Sequence, residues 1–248
     1  MKNSSSRPRR TELDTLRGVT LVSMIAYHAC WDLVYLFGLD WPWYHGTLAY
    51  LWQQSICWTF ILLSGYCWLL GRRHLRRGLT VFGGGLLVSA VTLLVMPEDG
   101  IFCGVLTLLG TAALVTIPLD PLLRRIPARA GLAGSFLLFL LLRDVNSGWL
   151  GFEGVRVLAL PGWLYRNLFT ACLGFPPAGF RSTDYFSLFP WLFLFLTGYF
   201  LYRLRREEPT PLRLPVVSAM GRRSLAVYLL HQPLVYGALL ALTAVLER

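Results

Sequence analysis

The chain has 248 residues, is 55% hydrophobic with a mean hydropathy of +0.55, and carries nine Trp, eleven Tyr and fifteen Phe. Apolar residues in long blocks at that density exclude an ordinary soluble domain and point to one polytopic membrane protein. The net charge of +10 does not argue for nucleic acid, because the basic residues stand between the apolar blocks rather than among aromatics on one face.

Met1 to Arg10 is a polar, basic tail, and no small-residue cleavage site follows the first apolar run, which is expected to stay as a helix. Seven spans are expected, at 16–36, 48–70, 78–96, 101–119, 128–142, 186–204 and 224–245. All but the short fifth can cross about 30 Å of hydrocarbon at about 1.5 Å per residue. The fold expected is an all-α membrane helix bundle, one domain over 1–248, with a cytoplasmic tail at 1–10, an outer loop at 143–185 and a cytoplasmic linker at 205–222. With the N-terminus inside, the cytoplasmic pieces 1–17, 72–77, 124–129 and 203–223 hold 18 of the 23 basic residues. An eighth span within 155–175 would move the last of these pieces outside, so that stretch reads as interfacial or re-entrant. Pro161, Gly162, Pro176 and Pro177 fit irregular backbone there. Cys30, Cys57, Cys67 and Cys103 fall in or beside spans and Cys172 in a loop, with neither a disulfide framework nor a metal-ligand spacing in view.

In the first span, MIAYHACWDLVYLFG places His28 and Asp32 one helical turn apart on one face. His28 lies eleven residues beyond Arg17, about 16 Å along a helix and so near mid-bilayer. Ionisable groups are costly at that depth and are kept mainly where they act. Asp32 is expected to fix the tautomer of His28 and raise its basicity, as a general base requires; the other reading is a polar pair bridging helices. In the last span, SLAVYLLHQPLVYG carries His231 seven residues past Ser224, about 10 Å and again at depth. It reads equally as interhelical glue or as an active-site member, and Pro233 frees a carbonyl near Leu229.

Before the third span, RRHLRRG repeats arginine at i, i+4, pairing Arg72 with Arg76 and Arg73 with Arg77. Guanidinium forks so spaced suit phosphate groups, while a basic loop obeying the positive-inside rule explains the same residues. FILLSGY ends the second span with Ser64 and Gly65, a small pair that admits another helix or a ligand. TDYFSLFPW supplies Asp184, Tyr185 and Trp191 on the outer side, with Asp184 read either as a helix cap or as a substrate contact.

The ordered motifs LDTLRG with a downstream His, FILLSG before an arginine-rich turn, DYFSLFPW and GRRSLAVYLLHQP resemble the heparan-alpha-glucosaminide N-acetyltransferase catalytic-domain family, in a bacterial member, over essentially 11–238. That resemblance implies transfer of an acetyl or other acyl group from cytoplasmic acetyl-CoA or a related acyl-CoA, with no metal, to a hydroxyl or amine of a sugar or glycan on the outer side of a cell membrane. It carries the first-helix histidine to His28, the donor-binding turn to Arg72–Arg77 and the small pair to Ser64 and Gly65. In the first outer loop, GLDWPWYHG, His45 is the positional candidate for the acceptor side, and heparan specificity does not carry over. Thr107 stands in FCGVLTLLG where a polar ring or amide is expected.

The residues alone leave three readings open. In the first, His28 takes a proton from an acceptor attacking a thioester. In the second, His28, Asp32 and His231 relay protons in a transporter or lipid flippase. In the third, the two histidines hold a haem. The bilayer is the expected partner and nucleic acid is not; association of copies stays open.

Overall fold

The computed structural model describes residues 10–205 and 214–246. The N-terminal tail up to residue 9 and the linker stretch 206–213 lie outside the described residues, and so do the expectations placed on them. Among the described residues the chain forms nine α-helices. They are α1 (Thr11–Tyr35), α2 (Thr47–Trp68), α3 (His74–Val95), α4 (Val105–Leu123), α5 (Ala128–Leu141), α6 (Leu168–Leu173), α7 (Leu188–Leu204), α8 (Pro215–Arg222) and α9 (Ser224–Leu246). This is an all-α membrane protein: His74–Val95, Val105–Leu123 and Ser224–Val245 are each long and apolar enough to cross a bilayer. Their outward faces are greasy, with Leu94 84% and Val245 69% exposed, which suits lipid and not water.

The stretch 155–175 is not a continuous helix. β1 (Trp149–Phe152) and β2 (Val155–Ala159) pair antiparallel around a two-residue turn, Glu153 and Gly154, both at positive φ as tight hairpins require. A 3-10 turn follows Pro161, and α6 then starts at an Asn167–Thr170 capping box and ends after six residues, far short of a crossing. The hairpin was not legible because Val155–Ala159 is a short apolar run whose periodicity does not separate strand from helix.

The chain divides into two compact units, 1–60 with 206–248, and 61–205, the boundary falling inside α2. In the first unit α1 packs on α8 and α9. The α1–α8 contact is made at two glycines: a Cβ on Gly18 would lie 1.9 Å from the Val217 carbonyl oxygen, and one on Gly221 1.8 Å from that of Asp14. Backbones meet this closely only where side chains are absent. Thr15 and Ser218 share a buried hydrogen bond of 2.6 Å between these same helices. Leu21, Met24 and Ile56 form the core, and Trp52 donates to Ser23 across it at 2.8 Å. Tyr44, in the 3-10 turn Pro42–His45, ties the loop after α1 back to the Tyr27 carbonyl at 3.0 Å.

In the second unit α3 pairs with α4 and α5 with α7, and α4 also meets α7. Gly65 and Gly198 let α2 and α7 touch, since a Cβ on Gly65 would lie 1.8 Å from the Phe195 carbonyl oxygen and one on Gly198 2.1 Å from that of Leu62. Loops at one end of the unit lock into a cap. Ser182 accepts from the Phe102 N–H at 2.9 Å and donates to its carbonyl at 3.0 Å, and Phe186 N–H donates to the Cys103 carbonyl at 2.8 Å. Cys103 and Cys172, 69 residues apart, are joined as a disulfide. This corrects the expectation of no disulfide and of a loop at Cys172, which lies in α6. Two cysteines that far apart become partners only when the cap folds. At the other end Arg203 donates to the Leu123 and Ile126 carbonyls, closing the C-terminus of α4.

Candidate active site

The densest buried polar group of the first unit lies where α1 meets α9. His28 and His231 face one another with ring centroids 4.9 Å apart, and Asp32, one turn further along α1, accepts from the side-chain amide of Gln232 at 2.5 Å. Asp32 is fully buried and His231 is 7% exposed. The two helices meet here because α1 presents i and i+4 on one face while α9 presents two consecutive polar residues to it.

The expected hydrogen bond from the His28 ring to Asp32 is not made among the described residues. Asp32 is held by Gln232 instead, because the amide reaches the carboxylate from the neighbouring helix whereas the His28 ring turns toward His231. Gln232 was missed in the sequence, although it stands beside His231 at the same depth. The orienting contact belongs to the other histidine: His231 Nδ1 lies 2.5 Å from the Tyr228 carbonyl oxygen. A carbonyl only accepts, so Nδ1 carries the proton and Nε2 keeps its lone pair. That nitrogen is buried and has no partner among the described residues. A buried imidazole with a fixed tautomer and an open lone pair can take a proton from a group placed against it. The rings lie against one another in this arrangement, with no porphyrin plane's width between them.

His45, in the same unit, is exposed in the 3-10 turn, its Nδ1 3.3 Å from the Tyr35 hydroxyl.

The remaining candidates lie in the second unit. α3 begins at His74, so Arg73 is its N-cap residue and Arg72 precedes it; the i, i+4 pairing on one helix is therefore not formed. Arg72, Arg73, Arg76 and Arg77 are all exposed around a helix start that has no side-chain cap and no acidic residue in its first turn. His74 among them stacks on Trp68 with centroids 4.0 Å apart. Gly65 faces the α7 backbone, so its missing side chain serves helix packing, with Ser64 half-buried beside it.

The outer-side candidates hold the cap. Asp184 Oδ2 accepts from the Val105 N–H at 3.1 Å, capping α4 and not the helix that follows it in sequence. Burial pushes its carboxyl up to about 6, against the lowering effect of that N–H. Tyr185 donates to the Ala171 carbonyl at 2.5 Å, and burial pushes its hydroxyl up to about 12. Trp191 is buried against Phe139 and Phe186, with the Arg143 guanidinium 5.0 Å from its ring centre. Thr107 donates to the Gly104 carbonyl at 2.6 Å inside the first turn of α4.

A family model described as Heparan-alpha-glucosaminide N-acetyltransferase, catalytic, matches residues 9–233. No curated protein and no solved structure matches the chain. The match takes in both compact units and every residue of the His28–Asp32–His231–Gln232 group. The chain belongs to the heparan-alpha-glucosaminide N-acetyltransferase catalytic family, and by that membership it is a membrane acyltransferase.

Proposed function

We propose that the protein transfers an acetyl or other acyl group from acyl-CoA to a hydroxyl or amine of a sugar or glycan, acting as one catalytic domain. The observation that carries this reading is the pairing of half-buried His28 with buried His231, with the Nε2 lone pair of His231 held open by the Nδ1 contact to Tyr228. The acceptor oxygen or nitrogen attacks the thioester carbonyl carbon. As the new C–O or C–N bond forms and the C–S bond breaks, the acceptor's proton passes to the imidazole and then to the leaving thiolate. His28 stands against the same ring, and Asp32, held by Gln232, lies one turn further along α1.

Donor binding is assigned to Arg72, Arg73, Arg76 and Arg77. Four exposed guanidinium groups at an uncapped helix N-terminus leave positive charge and open N–H groups unmet, and a phosphate-bearing head answers both. The protein is placed in a cell membrane, crossing seven times with its N-terminus cytoplasmic. Two features support that orientation: the 18 of 23 basic residues on the inner pieces, and the Cys103–Cys172 disulfide, which belongs on an oxidising side. A thermal-shift screen in detergent with acetyl-CoA, CoA and nucleotides lacking the pantetheine arm tests the donor. Stabilisation by acetyl-CoA alone among them, or by acetyl-CoA and CoA together, is expected. Equal response to every nucleotide, or proton flux in liposomes without acyl transfer, would overturn the reading.

A further inference from the structure

The cap of the second unit leaves large apolar side chains uncovered. Trp163 is 62% exposed and Phe169 73%, with Leu168 beside it and Val155, Val157 and Leu158 on β2 exposed as well. A run of this kind on a segment that is not a spanning helix marks an interaction surface. The helices that carry the cap are short. α5 has 14 residues and α7 has 17, about 21 and 25 Å at about 1.5 Å per residue, against a hydrocarbon layer of about 30 Å. α3, with 22 residues, is long enough to cross unaided. β1 packs on α5 and α6 on α7, so the cap stands on two helices that end inside the hydrocarbon, and it fills the remaining depth. Arg156 lies over the Trp149 ring, 5.0 Å from its centre, and Arg166 is exposed just ahead of α6. Tryptophan and arginine together suit the headgroup level, where an apolar body and a polar tip are both accommodated.

We propose that residues 163–169 form a lipid anchor in the outer leaflet: Trp163, Leu168 and Phe169 enter the acyl-chain region, and Arg156 and Arg166 meet phospholipid phosphates at its edge. The occupant of this surface is the bilayer and not a second protein, because the missing helix length places the patch at membrane depth. Backbone satisfaction sets how deep each part lies. β2 pairs with β1 alone among the described residues, so its free edge stays among hydrated headgroups, within reach of water-borne reagents. α6 closes its own hydrogen bonds and opens on the Asn167–Thr170 capping box, so it sits deeper. The anchor belongs to the fold in its membrane and stands apart from acyl transfer.

The test uses the full chain in phosphatidylcholine vesicles, with Cys30, Cys57 and Cys67 replaced by Ala and the Cys103–Cys172 disulfide kept. A fluorophore sensitive to its surroundings is attached in turn to Phe169→Cys, Trp163→Cys and Glu98→Cys, the last at an exposed site in the 3-10 turn Pro97–Asp99. Nitroxide carried on the lipid acyl chains should quench the label at 169 and at 163, while aqueous iodide should quench it there at least about fivefold less than at 98. Two anchor positions are read, so a variant that fails to fold leaves the other to decide. Iodide quenching at both positions equal to that at 98 places the cap in water and overturns the proposal. Shielding of both positions from nitroxide and iodide alike overturns it as well, since that is the signature of a protein cover, from a second copy or another chain.

Discussion

His28 on α1 and His231 on α9 hold their rings 4.9 Å apart although they come from opposite ends of the chain. The pairing gives the first unit two imidazoles close to the buried Asp32 carboxylate, and it sets the first prediction. His231→Ala and His28→Ala should each lower kcat by about 100-fold or more while leaving acetyl-CoA affinity within about threefold, as expected for proton transfer without donor contact. The double variant should cost little beyond the worse single one, because the rings act as a unit. Near-normal transfer by His231→Ala would remove it as the proton acceptor and return that role to His28. Asp32→Asn should keep a partial rate, measured in the same assay.

Replacing Arg76 and Arg77 by Gln should weaken acetyl-CoA binding by about tenfold or more without loss of membrane insertion, since sixteen other basic residues lie on the pieces expected to be cytoplasmic. Lysine at both positions should restore only part of the affinity, because an ammonium cannot grip phosphate with two parallel hydrogen bonds. Isothermal titration in detergent reads both. Unchanged affinity in the Gln variant would leave these arginines with orientation alone.

The Cys103–Cys172 disulfide closes a segment of 69 residues over the cap. Replacing both cysteines by Ser should lower stability by about 2–5 kcal/mol, read as a drop in Tm against the oxidised wild type. Maleimide applied from outside to whole cells should reach a cysteine at Val157, which is 68% exposed, and not one at Leu75, 62% exposed. Labelling at Leu75 from that side would invert the orientation.

Asp184 supplies a pH dependence. Its carboxyl is pushed up to about 6 in the folded cap, against about 3.9 in an unfolded chain. The folded state holds the proton more tightly, so this contribution is fully present below about 3.9 and is lost as pH rises through about 6. Asp184→Asn should therefore match the wild type in Tm near pH 4 and gain on it near pH 7.5. A gap that does not change with pH would show the carboxylate ionised throughout.

Gly65→Ala should destabilise by about 1–3 kcal/mol without altering the donor affinity of the protein that folds, because the new methyl meets the Phe195 carbonyl. A selective loss of acetyl-CoA binding would instead restore a ligand role to that position.

The sequence by itself determined the membrane class, the positions of the long helices and the residues worth asking about. Bilayer length and the cost of buried charge act on local composition, so Thr11–Tyr35 and Ser224–Leu246 are visible in the chain and His28 and His231 stand out within them. Tertiary structure alone decided which partners those residues take. Gln232 and not His28 holds Asp32, Tyr228 orients His231, Asp184 caps a helix begun at Val105, and Cys103 finds Cys172. Each of these is a directional contact of a few ångströms between segments far apart in sequence, or between rotamers on one helix, and neither periodicity nor composition encodes such geometry. The glycines of α1, α2, α7 and α8 show the same division: the sequence offers a missing side chain, and only the packed helices reveal that backbone fills the space.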